Sequence, residues 1–365
     1  MIFRSLIFYL FFVTSIFSFI DYSFTSNLIT LRSPLLPRLE IKENFFRISV
    51  SSKNIWSLQY ERYIIDGEEW EVKGTWNQRI KRNWSFGLEV PYKIQGGGIF
   101  DSFIEAFHRT TGTTQQHREK FPKNKLQVSY EPYGFLYQMY DQTVFTKEMR
   151  RSYPRSYPRK PQEPPPFLPL NIFSYFNGSY FIINNLVLPL EIIERKAKDF
   201  SALDNPKFYI QNFVFESGTY RGIGGIQIKI PFVNKTDYFY FGGWDVSIFF
   251  SNSYLFKKDF EFLWGVSYTS YEFKKYREIR MSNHQWSIRL HINYYKNFIY
   301  FFEYLFLSKP ILNMGRLSED GHFFSLGIQK YYKDSLFIVS LIENFYFYAT
   351  SPDVGLHLSY QYFFN

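Results

Sequence analysis

From residue 284 to residue 294 the chain reads HQWSIRLHINY, in which apolar and polar positions alternate without a break. Trp286, Ile288, Leu290, Ile292 and Tyr294 take one parity, and Gln285, Ser287, Arg289, His291 and Asn293 the other. Side chains of a strand alternate between its two faces, so this stretch predicts a strand with one greasy side and one wet side. The same pattern recurs almost to the last residue. Trp70, Val72, Trp76 and Ile80 oppose Glu69, Glu71, Lys73 and Arg79, and after the turn at 81–83, Trp84, Phe86, Leu88, Val90, Tyr92 and Ile94 oppose Glu89 and Lys93. Later, Val354, Leu356, Leu358, Tyr360, Tyr362 and Phe364 oppose His357, Ser359 and Gln361. Strands are expected at 45–60, 69–80 and 84–94, once within 124–218, and at 222–232, 244–250, 262–268, 284–294, 298–307, 323–331, 335–345 and 354–364. That gives about 12, in a range of roughly 10 to 14, and an even count suits a closed barrel.

Alternation alone fits a soluble sheet as well. The first residues tip the balance: MIFRSLIFYLFFVTSIFSFI, residues 1–20, places one arginine ahead of an apolar run and reads as a signal peptide, with an uncleaved anchor as the competing reading. Beyond it no stretch offers the ~20 uninterrupted apolar residues of a spanning helix. The expectation is therefore an all-β fold, a transmembrane antiparallel up-and-down barrel over 45–365. Residues 21–44, with Pro34 and Pro37, are read as a periplasmic lead-in.

Two stretches break the pattern. After Gly96, Gly97 and Gly98 comes IFDSFIEAFHR, whose helical spacing predicts one short helix near 98–110. RSYPRSYPRKPQEPPPFLP, residues 151–169, cannot be a spanning strand because proline lacks the ladder N–H. A proline-rich exposed loop at about 141–170 is expected.

Composition sharpens the membrane reading. Aromatic residues make up 22% of the 365 residues, yet mean hydropathy is only −0.26, as expected when strands face lipid on one side only. The formal charge of +9 comes without a nucleic-acid motif, so contact with anionic headgroups is the simpler use of it. With no cysteine there is no disulfide framework and no thiol chemistry.

Candidate chemistry is sparse. No nucleophile elbow, phosphate loop, zinc motif or calcium loop is present, and no metal or cofactor is expected. Asp101, Glu105 and His108, spaced i, i+4 and i+7, fall on one helix face. So grouped they could bind a cation or act as acid and base. The plainer reading makes the helix a plug whose polar groups meet lumenal Arg79, Lys93 and Arg289. Lumen-facing positions are expected at Glu69, Glu71, Lys73, Arg79, Glu89, Lys93, Arg289, His291 and His357.

The chain contains IDGEEWEV (65–72), LEVPY (88–92), GGGIFDSFIEAFH (96–108), GIGGIQIKI (222–230), and Glu343–Asn344 followed by SPDVGLHL (351–358). Together these motifs resemble an uncharacterised family of proteobacterial outer-membrane proteins, a domain of unknown function. The resemblance runs over about residues 45–365, apart from the proline-rich stretch and part of 171–215. It implies a barrel with a GG-x-x-D-x-F-I-E-x-F-H helix and no established activity. Where that family tends to carry an acidic residue after Gly-Ile-Gly, this chain has Gly225.

The functional expectation is an outer-membrane barrel with a narrow or helix-plugged pore for a small or lipidic solute. The alternatives are an outer-membrane enzyme acting on lipid or lipopolysaccharide with His108 as base, and a structural or adhesive surface protein. Expected partners are outer-membrane lipid, lipopolysaccharide and the outer-membrane assembly machinery, with no nucleic acid.

Overall fold

The computed structural model describes residues 19, 25–38, 43–59, 63–81, 83–111, 124, 126–130, 180–183, 186–189, 195–196, 200–217, 219–233, 242–257, 259–276, 279–312, 314–343, 350 and 352–364. Alternation produces strands where it was expected: β1 (Asn44–Gln59), β2 (Tyr63–Lys81), β3 (Trp84–Gly96), β4 (Lys207–Ser217), β5 (Tyr220–Lys229) and β6 (Asp245–Lys257). The second half adds β7 (Phe260–Tyr271), β8 (His284–Tyr295), β9 (Ile299–Leu307), β10 (Gly321–Tyr332), β11 (Ser335–Glu343) and β12 (Val354–Phe364). Each pairs antiparallel with its sequence neighbours, β3 meets β4 from Trp84↔Asn212 to Glu89↔Lys207, and β12 returns to β1 from Asn44↔Phe364 to Asn54↔Val354. The sheet is a closed barrel of twelve strands with no open edge in its wall.

One end of the barrel carries tight turns, such as Lys81 to Trp84, Lys257 to Phe260 and Tyr332 to Ser335. The other end carries the long connections, including the one between β3 and β4. Above Lys207 the β4 side continues as a short strand, Phe200–Leu203, that pairs with the upper part of β3 from Tyr92↔Leu203 to Gln95↔Phe200. Between the two pieces lies Asp204-Asn205-Pro206. Pro206 has no N–H for the ladder, and the resulting break leaves Asp204 buried, its own N–H donating to Pro91 O at 2.9 Å.

The two faces of the wall have opposite chemistry. On β8, Trp286 is 56%, Ile288 40% and Ile292 44% exposed, while Arg289 is 4% and His291 0% exposed. Exposed apolar side chains recur on the outside of every strand in the closed wall, for example Ile48, Val72, Ile226, Ile248, Leu326, Val339 and Leu358. That apolar exterior around a wet interior is the arrangement of a membrane-spanning barrel.

Among the described residues two short α-helices accompany the barrel. α1 (Asn27–Thr30) is capped by the Ser26 hydroxyl, which accepts from Leu28 N–H, and ends on Leu31 at φ +57°. α2 (Asp101–Thr111) follows β3 through Gly98, whose φ of +74° only glycine adopts readily. A Cβ there would also meet the Glu68 carboxylate at 2.2 Å. That carboxylate accepts from the N–H groups of Ile99 at 3.0 Å and Phe100 at 3.3 Å, so β2 holds the start of the helix. The proline-rich stretch 151–169 and residues 1–18 of the expected leader lie outside the described residues.

Candidate functional site: a lumen filled by the N-terminal segment

Residues 25–38, expected as a periplasmic lead-in, run inside the barrel, where nearly every one of them is buried. The physical reason is their mixed composition. Ser26, Asn27, Ser33 and Arg38 carry groups that a polar lumen can bond, while Leu28, Leu31 and Leu35 carry surface that must leave water. Phe19, counted within the leader by its apolar run, is also buried, packed with Phe213, Ile223, Phe249 and Leu263.

Residues 25–31 lie at the loop end, and from Arg32 onward the segment runs back through the barrel. At the top, Ser26 Oγ donates to Glu69 Oε2 at 2.9 Å, and Lys53 Nζ donates to Thr25 O at 2.9 Å and Glu69 Oε1 at 3.1 Å. Lys93 Nζ lies 3.1 Å from both Asn27 Oδ1 and Asp204 Oδ2, and the Ser33 hydroxyl sits 2.9 Å from each of those two oxygens. Leu28, Ile29 and Leu31 pack with Ile55, Tyr63 and Ile65 of the β1–β2 hairpin and with Met281, Ile311 and Met314 of the long loops. A hydrophobic cap thereby closes over the helix at the loop end.

On the way back, Arg32 lies 3.9 Å from the Tyr271 ring and donates to Ser282 O at 2.9 Å. Leu35 O accepts from Ser267 Oγ at 3.0 Å, Leu36 O from the Gln227 side chain, and Pro34 O from Lys207 Nζ at 3.4 Å. Arg38 then donates to Glu89 Oε1 at 2.8 Å, its guanidinium 3.8 Å from the Tyr209 ring. Gly265 makes room for the chain: a Cβ there would stand 2.8 Å from Pro37 Cβ. Bonds from this one segment reach β1, β2, β3, β4, β5 and β7. A ligand so placed links walls on several sides.

Charge is arranged to suit. Asp204 is the clearest case outside the strands: burial would raise its carboxyl, but the Lys93 ammonium, the Asn205 N–H, Lys207 and the Ser33 hydroxyl outweigh burial and hold it below the usual carboxylate range. Lys93 is shared with Glu71 at 3.7 Å and Glu69 at 3.8 Å, so Asp204 belongs to a buried charge network rather than to an isolated pair.

Of the residues expected to face the lumen, Glu69, Glu71, Lys73, Glu89, Lys93, Arg289, His291 and His357 are all buried within the barrel. Arg289 Nε donates to Glu303 Oε1 at 2.6 Å, and His291 Nδ1 is 2.6 Å from Glu303 Oε2. Arg79 stands apart. It is exposed at the turn end, its backbone N–H donating to Asn44 Oδ1, because β2 outruns the wall there and the wet parity meets water rather than lumen. Asp101 is buried at the loop end, where Asn54 Nδ2 donates to it at 3.2 Å and the Asn124 N–H at 2.6 Å. Arg79, expected to compensate that helix, sits at the opposite end of the barrel. Glu105 is half-buried and Arg109 exposed, and the side chain of His108 lies outside what is described. Among the described residues no three His, Asp or Glu side chains gather at metal-binding spacing.

Sequence reasoning missed Asp204, Arg38, Ser26 and Ser33. The one available signal was the density of polar groups and prolines just before the first strand, in a stretch too short to fold alone.

Closed wall, apolar exterior and buried polar interior define a β-barrel of the membrane-spanning kind. The chain belongs to the family described as "Protein of unknown function (DUF3187)", matched over residues 21–147 and 194–364. No curated protein matches it significantly. Among solved structures it is similar to the COG4313 outer membrane channel from Pseudomonas putida F1, at 7% identity over 88% of this chain and 96% of that one, with a TM-score of 0.48. The NanC porin is similar at 7% identity over 88% and 99%, TM-score 0.41, and the KdgM porin in complex with disordered oligogalacturonate at 7% over 88% and 99%, TM-score 0.37.

Proposed function

We propose that the chain is an outer-membrane channel for a small or lipidic solute, shut at rest by its own N-terminal segment. The observation that carries this reading is that residues 25–38 lie inside a closed barrel and bond its walls through side chains rather than through a covalent or sheet connection. Polar side-chain contacts of this kind can be exchanged for water one at a time, which is what a removable stopper requires. The tight turns mark the periplasmic end and the long loops the outer end, by the usual habit of such barrels. The segment then enters from the periplasm, where the termini of the wall lie. Outer-membrane lipid and lipopolysaccharide would surround the exterior, and the outer-membrane assembly machinery would insert it.

Single-channel recording in a planar bilayer tests the reading. The unaltered protein should be closed nearly all the time. Arg38→Ala strips Glu89 of its 2.8 Å partner and should raise the open fraction at least about tenfold, the effect of ~1.4 kcal/mol. A properly folded Arg38→Ala barrel that stays as closed as the parent would sink the stopper idea.

A further inference from the structure

The lumen is not uniformly wet. Along β4–β7, Phe213, Ile223, Phe249 and Leu263 face inward, and along β9–β11, Phe301, Leu305, Phe323, Leu336, Ile338 and Ile342 do so. Both parities of these strands are therefore apolar over part of their length, which a purely aqueous channel does not require. His291 bridges the two patches: its ring stacks on Phe301 with centroids 5.3 Å apart and meets Phe19 edge-on at 6.2 Å. Gly225 contributes to the same surface, since a Cβ there would stand 2.5 Å from the Phe249 ring, and the ring fills the position instead.

The N-terminal segment fits this two-faced interior with two kinds of group. Phe19 sits in the first patch, and Leu36 packs on the second. Ser26, Ser33 and Arg38 meanwhile turn to the charged wall of β2, β3 and Asp204. The segment therefore covers apolar surface that is exposed to the lumen once it withdraws. Most of these wall charges keep a partner within the wall when the segment leaves: Lys53 has Glu69 at 3.1 Å, Lys93 has Asp204 at 3.1 Å, Lys229 has Asp245 at 2.5 Å, Arg289 has Glu303 at 2.6 Å, and Glu89, losing Arg38, keeps Lys73 at 3.9 Å. Matched pairs select hydrogen-bonding groups over net charge.

Resting on the stopper reading, we infer that the opened lumen binds a compact neutral amphiphile, an aromatic or short aliphatic body bearing a hydroxyl or carbonyl. The body takes the places of Phe19 and Leu36 on the apolar stripe, and the polar end bonds the neighbouring paired side chains. In this arrangement the N-terminal segment and the solute compete for one surface, so the solute's binding favours the open state.

The test uses the full barrel with residues 19–38 deleted, in a planar bilayer, with 1-naphthol as probe and glucose as control. The deletion should conduct, 1-naphthol should block its current saturably, and glucose should not. Phe301→Ser in the same background should weaken the block about tenfold. If the deletion does not fold, Arg38→Glu sets two carboxylates together and loosens the segment without shortening the chain, and the same measurements apply. A barrel that conducts but is blocked no better by 1-naphthol than by glucose, or equally with and without Phe301, overturns the amphiphile and leaves the stopper standing. A folded deletion that conducts no better than the parent overturns both.

Discussion

A single position on β8 shows how closely residue identity follows wall geometry. Leu290 lies half-buried on the outer face, in a groove it lines together with Phe262, Phe302 and Tyr304, while its neighbours Arg289 and His291 are buried on the inner face. Replacing Leu290 with Arg would place a guanidinium in hydrocarbon near the middle of the strand. The expected cost is about 2–4 kcal/mol, read as a lowered urea midpoint for the barrel refolded into vesicles. An unchanged midpoint would mean that this parity does not face lipid. Most such assignments were legible in the sequence, because period two and a strand's two faces are the same fact. Arg79 was not. It keeps the parity of Lys73 and Thr75, but parity says nothing about where along its length a strand leaves the wall, and Arg79 stands where lumen gives way to water.

At the scale of elements, the strands were readable and the N-terminal segment was not. Residues 25–38 have neither period two nor period 3.6, and α1 is a single turn that exists because Ser26 caps it and the barrel encloses it. Their structure is imposed by partners up to 250 residues away in sequence, as with Arg32 and Ser282. Asp204 is one of those partners, and its titration makes the element's attachment dependent on acid. Because its folded carboxyl lies below the ordinary value of about 3.9, its contribution is fully present above that pH and is lost as pH falls through the folded value. Asp204→Asn should therefore differ from the parent in open fraction at pH 7, with the variant more open. The two should converge when the parent's carboxylate is protonated at strongly acid pH. A gap between them that persists unchanged in acid would show that the carboxylate does not hold Ser33 and Lys93 in place.

For the whole molecule, closure was foreseeable and filling was not: an even set of alternating strands implies a barrel, but not what lies within it. The sequence offered α2 as the plug, since its apolar face must be buried and its Asp101 and Glu105 could meet lumenal cations. In the structure α2 is held at the loop end, pinned through Asp101 to Asn54 and Asn124 and, just ahead of it, through the N–H groups of Ile99 and Phe100 to Glu68, with Ser102, Ala106, Arg109 and Thr110 exposed. The interior is occupied instead by residues 25–38. Two deletions separate these assignments in one assay. Removing 25–38 takes away the bonds to Glu69, Asp204, Gln227, Ser267 and Glu89 together, and single-channel conductance should rise. Removing 98–110 leaves every one of those bonds in place, so conductance should stay close to that of the parent, although the loop end loses part of its cover. Both variants must first run as folded barrels, judged by the heat-dependent mobility shift on gels. Should the 98–110 deletion open the pore and the 25–38 deletion leave it shut, the helix is the gate and the N-terminal segment mere packing.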